Sequence, residues 1–427
     1  MADAGVRTWP APRASRWYYG WVVLGLAALA MVGTLPGRTQ GLGLITEPLL
    51  RDLGVSRVVY AQINLAATLL GAIFCLGIGK WVDRHGSRIV LTTIAVALGT
   101  VVVAMSQVSG VAMLFVAVTL TRGIGQSALS IVSLAMVGKW FRRRLTMAMA
   151  IYALVMSIGF MLAFPAVGAL ILARGWRTAW AVVGISLLVI LAPLAWLIDR
   201  SSPETIGLEV DGEPGTSDPA HNPSDSVGLW TALRSPAFWV VALASSAYGL
   251  IASGIGLFNE SILAERGFSP DVYYTALAVT AVTGLVGNFA AGGFADRASL
   301  RSVLLAALVI LSAGLVALVH VSTVAHVMMQ AVAMGVGGGF LMVVFFSFWG
   351  RAYGPAELGR IQGGAQAMTV LASAIGPLLL ATSVDATGSY GAAFYSLAVV
   401  VALLGVAAAV VPMPPGVQAS SGISAPG

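Results

Sequence analysis

Apolar residues run along this chain in long unbroken stretches, with polar residues gathered in short groups between them. Crossing a hydrocarbon core of about 30 Å takes a helix of about 20 predominantly apolar residues. Twelve stretches meet that need: 18–46, 57–79, 89–107, 110–137, 146–172, 178–198, 236–263, 271–294, 302–319, 323–349, 358–383 and 390–412. Lipid offers no partner to open backbone groups, so each run is expected to be a helix. Barrel strands are excluded, because they alternate lipid-facing and lumen-facing residues and these runs are continuously apolar. The pattern predicts an all-α membrane protein of twelve transmembrane helices.

Composition narrows the function classes. Of 427 residues, 58% are apolar and 9% charged, and the mean hydropathy is +0.91. Soluble domains carry about 25% charge. The 23 basic and 17 acidic side chains here cannot coat a water-facing surface of this size, which excludes a conventional soluble enzyme. The single cysteine, Cys75, excludes a disulfide scaffold. A net charge of +6 points to nucleic acid only if it gathers on one face. With both termini on one side of the membrane, 16 of the 23 basic residues fall on that side, five on the other, and Arg38 and Arg122 within spans. The surplus is thus an orientation signal that places both termini in the cytoplasm. No nucleic-acid partner is expected.

This topology divides the chain into a cytoplasmic tail (1–17), a first six-helix half (18–198), a cytoplasmic linker (199–235), a second six-helix half (236–412) and a C-terminal tail (413–427). No cleavable signal peptide is visible, and the first span is expected to serve as the insertion signal. Trp17, Tyr18, Tyr19 and Trp21 form an interfacial aromatic belt at its start. The linker is rich in proline and acids, beginning with Asp199, and should be mobile. The segment WTALRSPAFW after it reads as a short amphipathic helix on the inner surface.

The two halves repeat one another. EPLLRDLGVS from Glu47 matches ESILAERGFS from Glu260 at an offset of 213, and the same offset carries GKWVDR (Gly79 to Arg84) onto GGFADR (Gly292 to Arg297). Near-equal offsets pair Pro165 with Pro377 and Trp140 with Trp349. Parallel repeats related by an axis along the membrane normal are a carrier architecture, with substrate expected at mid-membrane between the halves.

These residues resemble the major facilitator superfamily. GKWVDRHGSR, Gly79 to Arg88, is similar to its signature between spans two and three, and RGIGQSA from Arg122 to its span-four signature. WFRRR from Trp140, Pro165 and GWRTAW from Gly175 resemble the bacterial monocarboxylate carriers and oxalate–formate exchangers. The resemblance implies the major facilitator fold and rocker-switch alternating access. It also implies a gate latch in which Asp83 and Asp296 pair with Arg84, Arg88 and Arg297, and an Arg122 that bonds to span one and helps couple transport. The subgroup's span-eight arginine and span-eleven lysine have no counterpart here; by spacing, Asn288 stands near the former position.

Arg38 and Arg122 are the candidate substrate-binding residues. A charge at mid-membrane costs about 2.5–3.5 kcal/mol on insertion scales and usually faces a cavity or a partner. Arg38 follows Pro36-Gly37, which should kink span one, and Gln40 adds an amide nearby. Arg38 either captures an anion, snorkels to the outer interface or pairs with Glu47. Asn64, Tyr152, Tyr248, Asn259, Asn288 and Gln366 are further candidates for a cavity lining. No acid falls at mid-membrane, which disfavours a cationic substrate. Proton coupling, if it operates, falls to Glu47 or Glu260 near the outer ends, where both also read as conformational pairs. The four histidines are scattered and no phosphate-binding loop occurs, so no metal, cofactor, ATPase or enzyme activity is expected.

The expected function is secondary active transport of a small organic anion, a mono- or dicarboxylate, across a bacterial inner membrane, by proton symport or anion exchange. The expected partners are that anion, the lipid bilayer, and a proton or counter-anion, with the chain a monomer. Two alternatives stay open: efflux of amphipathic or uncharged compounds, and a transporter-like sensor.

Overall fold

A computed structural model describes residues 18–73, 78–141, 144–208, 228–295, 299–354 and 358–414, and every regular element among them is helical. Eleven helices are long and apolar enough to cross a membrane, and the twelfth, Arg57–Ile73, is a shorter apolar helix. The chain divides into two compact units, one of Met1–Gly54 with Ala66–Asp218 and the other of Val55–Leu65 with Pro219–Gly427.

The first unit opens with α1 (Gly20–Val32), a 3-10 turn at Leu35–Gly37, and α2 (Thr39–Leu53). These together make the first span, broken where Pro36 removes a donor and Arg38 becomes extended (φ −83°, ψ 151°). The break explains a hydrophobic run too long for one straight crossing. The next helix, α3 (Arg57–Ile73), is divided between the units, its residues up to Leu65 belonging to the second and those from Ala66 to the first. Then come α4 (Ile78–Met105) and the fourth span, in which α5 (Val111–Leu120) and α6 (Ser130–Trp140) flank a π-helix at Thr121–Leu129. A π segment is rare and is frequently found at functional sites. The unit closes with α7 (Leu145–Arg174), and then α8 (Trp176–Ser186) and α9 (Ala192–Ile198), joined through a second π turn.

The turn of the first span packs directly on the π-helix of the fourth. A Cβ on Gly37 would lie 2.3 Å from Thr121 O and 2.8 Å from Gln126 N, so only glycine allows this approach.

Asp199, which the sequence groups with the acidic linker, is fully buried, and Pro203 and Ile206 after it are buried in a 3-10 turn. Residues 209–227 of the expected linker lie outside the described residues. The surface segment at its end is α10 (Leu229–Arg234), carrying the exposed Trp230.

The second unit holds α11 (Pro236–Ala264), α12 (Pro270–Ala295), α13 (Leu300–Val319), α14 (Val324–Tyr353), α15 (Leu358–Thr387) and α16 (Gly391–Val410). Its glycines bring backbones together. A Cβ on Gly335 would meet Thr280 O at 2.6 Å, and one on Gly339 would meet Gly284 O at 2.3 Å, so the GVGGG run seats α14 against α12.

Each unit carries the same clamp. In the first, Asp52 accepts from Trp176 Nε1 (3.2 Å) and Arg177 Nε (2.8 Å), while Arg177 donates to Ser106 O and Val108 O. In the second, Glu265 accepts from Ser389 Oγ and the Tyr390 amide, while Arg266 donates to Val319 O. The pairs 52 and 265, 106 and 319, 176 and 389, and 177 and 390 all differ by 213, the offset of the sequence repeat.

Candidate functional site

Arg38 sits where the first span breaks, and its hydrogen bonds run back along its own segment. Nε donates to Thr34 Oγ1 at 2.6 Å and Nη2 to Met31 Sδ at 2.8 Å. Thr34 in turn donates to Met31 O, which fixes its oxygen as the acceptor for Arg38. The guanidinium lies 5.1 Å from the Phe160 ring centroid, a cation–π contact, and Phe160 stacks on Phe164. Among the described residues no carboxylate pairs with Arg38, and Nη1 makes no hydrogen bond. The expected alternative of a pair with Glu47 is therefore not formed. A half-buried guanidinium with donors to spare, facing no acid, suits an incoming carboxylate.

Arg122 has a different situation. It is 2% exposed, at the start of the π-helix, and donates through Nη1 to Gln126 Oε1 (2.6 Å) and through Nη2 to Thr39 Oγ1 (3.2 Å). Thr39 directly follows Arg38, so Arg122 ties the broken first span to the fourth. Gly71 of α3 packs on the same place, since a Cβ there would lie 3.2 Å from Arg122 Cβ.

Tyr152 completes the group. Ser133 has one proton, which it donates to Ala27 O at 2.7 Å, so the 2.7 Å contact between Ser133 and Tyr152 is donated by the tyrosine. The Tyr152 oxygen keeps its lone pairs and lies within electrostatic reach of Arg38.

The structure thus places Tyr152 in the field of Arg38 and Arg122 on Thr39, the residue after Arg38, with Gln40 half-buried next along. Phe160 and Met31 were not among the residues singled out by sequence. An aromatic and a thioether in apolar spans carry no signal there until the arginine is seen beside them.

The other candidates are scattered. Asn64 is fully buried in α3. In the second unit, Tyr248 lies over Gly338, where a Cβ would sit 2.2 Å from its hydroxyl, and Asn259 and Asn288 are half-buried while Gln366 is exposed. Glu47 is half-buried on α2; Glu260 is 7% exposed on α11, with Tyr273 and Tyr274 in its field. Of the expected latch, Arg84 is exposed and Arg88 donates to Trp196 O at 2.6 Å. The Asp83 side chain, Asp296 and Arg297 lie outside the described residues.

A cavity of about 210 Å³ lies behind the break, walled by hydrocarbon from Leu29, Leu35, Pro36, Val167 and Leu187 among others. None of the candidate binding residues lines it. The described residues contain no group of three or more His, Cys, Asp or Glu placed to hold a metal ion.

Comparison with known proteins agrees with this architecture. No curated protein matches the sequence. Among solved structures, the chain is similar to a bacterial homologue of the human lysosomal transporter Spinster in an inward-facing, unoccupied conformation, at a TM-score of 0.67 and 17% identity over 93% of this chain and 96% of that one. It is also similar to the nucleoside transporter NupG, at a TM-score of 0.71 and 10% identity over 91% of this chain and 98% of that one. Identities this low speak for the fold. The family model of the Major Facilitator Superfamily matches residues 22–263 and again 241–425. With its repeat, its twelve helices and this match, the chain belongs to the Major Facilitator Superfamily of transporters.

Proposed function

We propose that this transporter is a secondary active carrier for a small organic anion, a mono- or dicarboxylate, and that Arg38 captures the substrate's negative charge. One observation supports the reading above the rest: a guanidinium within the first span, set at a helix break, whose partners are a hydroxyl, a thioether and an aromatic ring and include no acid. A cation held within a membrane span without an anion is a costly arrangement, and an anionic substrate offsets that cost. An arginine fork also suits a carboxylate bidentately, as a lysine does not. Arg122 holds the broken span in place and contributes field rather than contact. The carrier exposes Arg38 to each side of the membrane in turn, by proton symport or anion exchange, and Glu47 or Glu260 is the acid available for a proton. The basic-residue count supports an orientation with both termini cytoplasmic, and the high Ala and Gly content fits a bacterial inner membrane.

Purified protein in proteoliposomes tests this. A panel of labelled mono- and dicarboxylates is expected to enter by counterflow while neutral compounds of the same size do not. Arg38→Gln and Arg122→Gln are each expected to reduce carboxylate uptake, Arg38→Gln by about 10- to 150-fold. Wild-type uptake in both variants removes the site, and counterflow of neutral amphipathic compounds alone favours an efflux carrier.

A further inference from the structure

The signature end of the first unit contains a buried acid that the transport reading does not use. The last helix of the sixth span, α9, ends at Ile198, and the next residue, Asp199, has no exposed surface. Five consecutive carbonyls at this helix end accept hydrogen bonds from side chains. Arg88 Nε donates to Trp196 O (2.6 Å), Arg200 Nη1 to Leu197 O and Asp199 O (both 3.0 Å), Tyr19 Oη to Ile198 O (2.6 Å) and Trp140 Nε1 to Arg200 O (3.2 Å). The terminal carbonyls of a helix lack partners within it. Here Tyr19 just ahead of α1, donors from α4 and α6, and Arg200 supply them. Arg88 also stacks on the Trp196 ring at 4.3 Å. Next to it, Gly86 takes φ 79°, and a Cβ there would lie 2.2 Å from Ser201 Oγ, so the signature loop fits closely on the segment after Asp199.

The Asp199 carboxyl is the odd member of this knot. It sits at the negative end of a helix, where a carboxylate is disfavoured. The Ser87 hydroxyl and the Arg200 amide approach it, but neither carboxyl oxygen, nor Ser87 Oγ, completes a hydrogen bond in this conformation. The charged groups that face it are Arg200 of its own segment and Arg88 of α4, and both guanidinia are committed to carbonyls. The Tyr19 phenol just ahead of α1 faces it too, donating to Ile198 O; α6 presents the untitratable Trp140. Ser87, Arg200 and Arg88 favour the anion, but none closes a hydrogen bond onto it, and burial outweighs them.

We propose that Asp199 is a proton-sensitive latch: in its neutral form it locks the end of the sixth span onto the first, third and fourth spans, and loss of its proton releases that end. Burial pushes the Asp199 carboxyl up to about 6 from its ordinary 3.8, with Ser87, Arg200 and Arg88 only partly opposing the shift. A group whose folded pKa is raised binds more protons when latched than when released. The stabilisation is therefore complete below the ordinary pKa and is lost as pH rises through the folded value. The opening equilibrium should climb about tenfold between about pH 5 and 7 and then level off.

Two measurements on the full chain in proteoliposomes decide it. Hydrogen exchange of the 196–207 backbone in wild type, corrected for intrinsic rates, is expected to lose about tenfold protection across that pH range. In Ser201→Cys protein, the maleimide labelling rate, divided at each pH by that of Asp199→Asn/Ser201→Cys, is expected to rise by a similar factor. The asparagine stays neutral, so the ratio cancels the pH dependence of the thiol itself. Flat protection, or a ratio that does not change with pH, overturns the latch. The exchange measurement needs no variant and stands even if Asp199→Asn folds poorly.

Discussion

The two halves share a frame and differ in charge. Asp52 and Glu265 stand at the same repeat position, 213 residues apart, and a carbonyl at the end of α4 or α13 takes an arginine in each. Gly71 and Gly284, again 213 apart, each press on the neighbouring fourth or tenth span. Where they press, the first half has Arg122 and Gly123 and the second has Gly335. Where the first half has Arg38, the same offset leads to Ile251, 1% exposed. The duplicated parts are those that fix geometry, so losing them harms either half alike. The unduplicated parts are two cations and the distorted backbone around them, which a purely structural repeat has no need to confine to one side.

The sharpest break of this comparison is Arg38→Gln. Losing a hydrogen bond to a charged group costs about 1.5–3 kcal/mol, so carboxylate uptake should fall about 10- to 150-fold with the fold intact by circular dichroism. A Lys at the same position should recover only part of it, because it lacks the fork. Next come two glycines that are equally crowded. Gly37→Ala and Gly335→Ala should each destabilise by about 1–3 kcal/mol, read as a lower Tm in detergent. If the halves differ as argued, Gly37→Ala also reduces uptake per folded molecule, and Gly335→Ala does so far less. Phe160→Leu keeps the apolar volume but removes the ring under Arg38. A loss of about 0.5–2 kcal/mol should appear as a raised KM for the anion with Tm nearly unchanged. The smallest effects belong to the clamps. Asp52→Asn and Glu265→Gln should each lower stability by less than about 1 kcal/mol, since the Asp52–Arg177 pair is 43% and 38% exposed. Equal losses confirm a shared frame; a loss of uptake in only one gives that clamp a role in transport.

Much of the frame was legible in sequence because hydrophobic length and an exact repeat are one-dimensional signals. Twelve apolar runs became helices, and Pro36-Gly37 marked the break. The π-helix was not legible: TRGIGQSAL has no residue that an ordinary helix would refuse, and the broken first span that packs on it is distant in sequence. The two arginines stood out because charge is rare in lipid, but their different duties did not. That Arg122 is consumed by Gln126 and Thr39, while Arg38 keeps donors free, depends on side-chain direction. In sequence Asp199 reads as a solvated linker acid because acids and prolines follow it, whereas its side chain is buried. Its place directly after AWLI, ahead of the next acid at Glu204, was the signal that it closes a span.

The partners of Arg38 have a consequence for the order of assembly. Its hydrogen bonds reach back to Thr34 and Met31, one and two helical turns earlier, and neither waits for a span made later. A nascent first segment therefore carries its own solvation for the cation as it leaves the translocation machinery. The 34 residues from Gly20 to Leu53 would form a rod of about 51 Å if straight, at about 1.5 Å per residue, so the turn that lodges Arg38 also lets the first crossing fit the bilayer before any neighbour exists. Phe160, made more than a hundred residues later, then reaches a charge already housed.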